Sequence, residues 1–155
     1  MTKNDFSIRF LQIADYDEVF LLWGRCAGMG MLPVDDSPEG FRKFLERNPR
    51  TCFAAEVSPS GGERNIIGVI LCGQDGRRAY IYHTAVDEAF RRRGVGRALV
   101  ASVEKAVRAE GINKIALVAF KANGEGNRFW EKMGYTERED LSYRNKSLNQ
   151  QNERN

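Results

Sequence analysis

Residues 90–99 read Phe90-Arg91-Arg92-Arg93-Gly94-Val95-Gly96-Arg97-Ala98-Leu99. The stretch follows an apolar run of strand character, Ala79 to Val86, and leads into a helical period carried by Leu99, Val103, Ala106 and Val107. Two glycines at a strand-to-helix junction let the backbone approach a ligand closely. The free N–H groups of the first helical turn, aided by the helix dipole, favour an anion there. Three adjacent arginines suit a multi-phosphate group. Spacing excludes two other phosphate loops. No G-x-x-x-x-G-K-[ST] run exists, and Leu99 stands where a dinucleotide fingerprint needs a third small residue, with no acid near Lys114. On the loop alone, a pyrophosphate cradle and a solvated arginine turn are equally good readings.

Working outward, Phe6, Ile8 and Phe10 alternate as a first strand, and Tyr16, Val19, Phe20, Trp23 and Cys26 mark a helix over 15–27. Gly28 to Pro33 form a connection. Ser37 before Pro38 reads as an N-cap with proline at the first helical position, opening a helix to Arg47 with Phe41, Phe44 and Leu45 inside. Residues 52–57, 66–72 and 77–86 read as three consecutive antiparallel strands. Gly111 closes the long helix as a left-handed cap, with Ile112 supplying the apolar contact. A strand over 114–120 follows, parallel to its predecessor because a helix joins them. A last helix spans 126–133, and 141–148 is expected as an edge strand. The expectation is one domain over 1–148 and a polar tail over 149–155.

Composition agrees with a folded domain. The chain has 155 residues, 42% of them hydrophobic and 29% charged, enough for a single core. The net charge of +3 is mild and concentrated at Arg91 to Arg93 and Arg97, so nucleic acid is not needed to explain it. Met1 to Asp5 lack a leader pattern and no apolar run reaches membrane-spanning length, so the cytoplasm is the expected location and no membrane partner is expected. Cys26, Cys52 and Cys72 form no C-x-x-C pair and His83 is the single histidine, so no metal site is expected.

Arg91-x-x-Gly94-x-Gly96 resembles the Q/R-x-x-G-x-G/A motif of the GNAT superfamily of N-acetyltransferases. A second block, Asn123-Gly124-Glu125-Gly126-Asn127-Arg128-Phe129-Trp130-Glu131-Lys132-Met133-Gly134-Tyr135, resembles the family's N-x-x-A-x-x-F-Y-E-K-x-G-F. Two motifs in the right order, with Ile8-Arg9 and Asp15 matching the first strand and helix, identify the chain as a small, bacterial-type single-domain member. The resemblance implies a mixed α/β fold. A mostly antiparallel, twisted sheet of six to seven strands would carry about four helices on its faces, with a parallel strand pair flanking an acetyl-CoA site. It also implies transfer of an acetyl group from acetyl-CoA to a primary amine, by direct attack and without a metal. The acceptor, a small molecule or a peptide, is not specified by the residues, and a homodimer is left open.

By this resemblance, the amides of Arg92, Arg93, Gly94, Val95, Gly96 and Arg97, with Arg91, hold the pyrophosphate. The backbone of Thr84, Ala85 and Val86 holds the pantetheine arm as an added strand would, and Asn123 and Trp130 border it. Two positions depart from the family. Trp130 stands where many relatives carry a tyrosine that protonates the leaving thiolate, and indole cannot serve as that acid. Val118 stands where relatives acting on a ribosomal-protein N-terminus carry a glutamate base. Tyr80 and Tyr82 are therefore the catalytic candidates, as groups that orient the amine or a water. Strand alternation places Tyr80, Tyr82 and Thr84 on one face and Ile81, His83 and Ala85 on the other, turning His83 away from the acetyl group. Glu56 is a reserve base. Asp75-Gly76-Arg77-Arg78 reads first as a hairpin turn and second as a carboxylate site for the acceptor. The missing tyrosine and glutamate keep an alternative in view, an acyl-CoA-binding regulatory module with little catalysis.

Overall fold

The computed structural model describes residues 5–153; residues 1–4, read above for a leader pattern, and the last two residues of the tail lie outside them. Among these residues five strands form one sheet in the order β1 (Ser7–Phe10), β2 (Phe53–Val57), β3 (Asn65–Gln74), β4 (Ala79–Val86) and β5 (Ile115–Leu117). The first three pairings are antiparallel, and β4 and β5 run parallel, as the helical crossover between them requires. The helices are α1 (Tyr16–Arg25), α2 (Pro38–Arg47), α3 (Val95–Ala109) and α4 (Gly124–Lys132). The mixed α/β fold with its parallel pair is as expected, but the sheet has five strands rather than six or seven. Residues 141–148 form no strand, and Leu141, Tyr143 and Leu148 are exposed. A strand needs a ladder, and β5, only three residues long, offers almost no edge to pair with.

Each helix forms where local chemistry specifies it. Ser37 accepts a hydrogen bond from the Gly40 amide at 3.1 Å, capping α2 with Pro38 at its first position. The α3 helix buries Val95, Leu99, Val100, Val103 and Val107 on one stripe, each worth roughly 1.5–3 kcal/mol against exposure. It ends at Gly111 (φ +79°), where the amides of Gly111 and Ile112 reach Arg108 and Val107 carbonyls at 3.0 and 3.2 Å.

The sheet separates two cores. On one face, α3 packs over Ile67, Ile70, Cys72, Ala79 and Ile81. On the other, α1 and α2 pack over Ala54, Ile66, Val69, Leu71 and Ala85. Gly68 brings the start of α3 close to the sheet: a methyl there would lie 3.0 Å from Val95 Cγ1 and 3.1 Å from Leu99 Cδ1. Ala79 and Ile81 thus face α3 whereas Ala85 faces α1, so β4 changes parity along its length. The cause is a bulge: Ile70 pairs with Thr84 and Cys72 with Ile81, so Tyr82 and His83 together oppose Leu71.

Candidate active site

Backbone left without a strand partner defines the site. The β4–β5 ladder runs only from Ala79↔Ile115 to Ile81↔Leu117. Beyond it, the edge of β4 from Tyr82 to Val86 has no β5 partner, because β5 ends at Leu117. That open edge leads through the turn of residues 87–94 into the first turn of α3. The first bond within the helix runs from the Ala98 amide to the Gly94 carbonyl at 3.0 Å. The amides of Val95, Gly96 and Arg97 therefore have no partner inside the helix. Arg92 (φ +63°) and Gly94 (φ +83°) are both left-handed, which folds the loop into a concavity ahead of them.

The two loop glycines have different reasons to be glycine. Around Gly94 there is open space, and its left-handed backbone demands the residue. A methyl at Gly96 would lie 3.1 Å from the Phe129 ring, so its size lets α4 pack against α3. Arg92, Arg93 and Arg97 are exposed at the mouth, and Arg93 lies 5.3 Å from the Phe90 ring centroid. Arg91 points back instead: its Nε donates to the Val86 carbonyl at 3.2 Å, and Nη1 lies 3.9 Å from Glu125 of α4.

Asn123 and Trp130, the other two residues expected at the site, lie at the N-cap of α4 and on that helix. The Asn123 Oδ1 accepts from the Gly126 amide at 3.0 Å, so it is the helix N-cap. Its amide fills the space a larger residue at 126 would need, with Nδ2 2.5 Å from a methyl placed there. Trp130 lies between Phe129 (5.0 Å) and Tyr135 (5.3 Å) against the α3-side core. Burial pushes the phenol of its neighbour Tyr135 up to about 12, so it stays protonated near neutral pH. Val118 is 54% exposed just past β5.

The bulge corrects the expected placement of His83. The rings of Tyr80 and Tyr82 lie 4.7 Å apart, tilted at 53°, and Tyr82 meets Phe44 of α2 edge-on at 5.4 Å. His83 meets Trp23 of α1 at 4.9 Å, so Tyr80, Tyr82 and His83 share the α1–α2 face, and Thr84 turns towards α3. Regular alternation excludes this arrangement; the extra residue creates it. Burial pushes the Tyr80 phenol up to about 12 and raises that of Tyr82, so both stay protonated near neutral pH. His83 Nε2 lies 2.8 Å from Asp36 Oδ1, a partner that no spacing in the sequence signals.

Other candidates have structural tasks. Glu56 is buried between Arg9, at 2.8 Å, and Arg64. Burial alone would raise its carboxyl, but those two hydrogen bonds hold it below the usual range. Cys52 and Cys72 are buried thiols pushed up to about 12 by that burial. Asp75 accepts the amides of Arg77 and Arg78 at 2.8 and 2.7 Å, so this segment is the hairpin turn its composition suggests.

Known proteins are related to this chain in sequence or shape. The family model described as acetyltransferase (GNAT) family matches residues 16–135. An acetyltransferase of Photorhabdus laumondii is 34% identical over 135 residues, covering 87% of this chain and 90% of that protein. Two solved structures share the fold. The NatC complex bound to Gag peptide and CoA superposes with a TM-score of 0.70 at 23% identity, over 83% of each chain. An aminoglycoside acetyltransferase from an uncultured soil metagenomic sample, in complex with sisomicin, gives 0.70 at 20% identity over 96% and 100%.

Proposed function

The chain belongs to the acetyltransferase (GNAT) family, and we propose that it transfers an acetyl group from acetyl-CoA to a primary amine by direct attack. The observation that carries this reading is the open edge of β4, continuous from the bulge at Tyr82–His83 into the free amides of α3. Those residues fit the co-substrate. Backbone groups of Thr84, Ala85 and Val86 would hold a pantetheine arm as a sheet edge holds an added strand. The amides from Arg92 to Arg97 would receive a pyrophosphate, with exposed arginine side chains adding charge. Arg91 would brace the turn, while Asn123 and Trp130 wall the arm from α4.

A bound thioester supplies the activated acetyl carbonyl; the protein's part is to position and to move protons. Tyr80 and Tyr82, held protonated, would donate hydrogen bonds that orient the incoming amine or a water. Cys52 and Cys72 are buried thiols pushed up to about 12, poor nucleophiles, and direct attack needs no acyl-enzyme. One structural neighbour is bound to Gag peptide and another to sisomicin, which supports placing the acceptor here among peptides or small molecules. Three free cysteines suit a reducing compartment, the cytoplasm.

Thiol release from acetyl-CoA across amines, amino acids and short peptides tests the reading. Release well above the blank without acceptor is expected for one class. No release with any acceptor, alongside tight acetyl-CoA binding, would instead favour a regulatory acyl-CoA-binding module.

A further inference from the structure

We propose that His83, positioned by Asp36, takes the proton that the acceptor ammonium must lose before it attacks. The inference rests on the acetyltransferase reading and adds a base on a residue that regular strand alternation would hide. The bulge puts His83 on the same face as Tyr80 and Tyr82, at the point where the β5 ladder stops. Its side chain is 16% exposed and that of Asp36 9%, so their 2.8 Å contact is largely, but not wholly, shielded from water.

Asp36 is itself fixed. Its Oδ2 accepts the Leu32 amide at 2.7 Å, and its carbonyl accepts the Tyr16 hydroxyl at 2.6 Å. A carboxylate only accepts, so Nε2 of the neutral ring carries the hydrogen and Nδ1 holds the lone pair. The charged group facing the ring is Asp36, from the α1–α2 connection. From α1 the ring meets the neutral Trp23, and its neighbour on β4 is the protonated phenol of Tyr82.

Atoms and charges balance as follows. The ammonium gives one proton to Nδ1, directly or through one water, producing an imidazolium beside the ionised Asp36. The free amine forms the C–N bond, and the C–S bond breaks. The second nitrogen proton passes to the departing thiolate, giving the amide and free thiol, and the imidazolium returns its proton to solvent.

Because His83 is the single histidine, ¹⁵N NMR reads its tautomer directly in the full chain. The expected result is hydrogen on Nε2; hydrogen on Nδ1 overturns the proposal. In parallel, H83Q keeps a donor for Asp36 but cannot take a proton. With an α-amino acceptor its kcat should fall roughly a hundredfold at pH 7, with the dissociation constant for acetyl-CoA unchanged. The deficit should shrink steadily above about pH 8, where such an amine is already neutral. An equal deficit at every pH, or an undiminished rate, overturns the role of His83 alone. Absence of turnover in the wild type overturns the acetyltransferase reading and this inference with it.

Discussion

Tyr82 and His83 are consecutive in the chain, yet both side chains lie on the α1–α2 face of the sheet, Tyr82 against Phe44 and His83 against Trp23. One extra residue in β4 has two effects at once. It gathers polar side chains on a single face, and it coincides with the end of the β5 ladder, where backbone groups become available. In a regular strand Tyr82 and His83 would point to opposite faces.

Tyr80→Phe and Tyr82→Phe remove hydrogen-bond donors and leave the rings. Each should lower kcat by about threefold to tenfold, equivalent to one ordinary hydrogen bond, with acetyl-CoA binding intact. With the Tyr80 phenol at about 12 and Tyr82 also raised, neither should contribute a titration between pH 6 and 9. Steady-state rates across that range check both points; loss of a tyrosine-dependent limb on substitution would contradict them.

Gly94 has open space around it but a left-handed backbone. Gly94→Ala should cost about 1–2 kcal/mol in stability through strain, read as a lower denaturation midpoint. Gly94→Trp has room to fold, but its indole should fill the concavity and weaken acetyl-CoA at least tenfold. Calorimetric titration measures the affinity, and a wild-type value would show that the loop is not the cradle.

The pairing of Glu56 with Arg9 and Arg64 makes stability depend on pH in a stated direction. Its carboxyl is held lower in the folded state than in the unfolded chain. The contribution is therefore fully present above the unfolded carboxylate value, about 4.3, and is lost as pH falls through the lower folded value. Glu56→Gln should destabilise near pH 7 and bring the melting temperatures of variant and wild type together in acid. Parallel melting curves at all pH values would contradict this.

Without acceptor, acetyl-CoA should leave Cys52 and Cys72 unmodified, because their thiols sit at about 12 and are buried. A stable acetyl adduct on either cysteine in intact-mass spectra would contradict direct attack.

Much of this was legible in the residues, for local reasons. Ser37–Pro38 and Gly111 mark helix ends because caps are short-range chemistry, and each stands where the sequence places it. The turn at Asp75 is equally local. The Arg91–Arg97 loop shows its glycines, but only the folded chain separates the conformational need at Gly94 from the packing need at Gly96. The bulge was not legible, because Ala79 to Val86 alternates without any mark at Tyr82. Nor was the Asp36–His83 pair, whose members are 47 residues apart and meet only when the α1–α2 connection folds onto β4. The expected strand at 141–148 shows the reverse: Leu141, Tyr143 and Leu148 stand exposed in a segment that joins no ladder.

Hydrogen–deuterium exchange with and without acetyl-CoA tests the central claim most directly, because it reads the backbone amides said to do the holding. The account predicts new protection confined to two stretches, the β4 edge from Tyr82 to Val86 and the loop and first helical turn from Arg92 to Arg97. Saturable acetyl-CoA binding that leaves both stretches exchanging as before would contradict it.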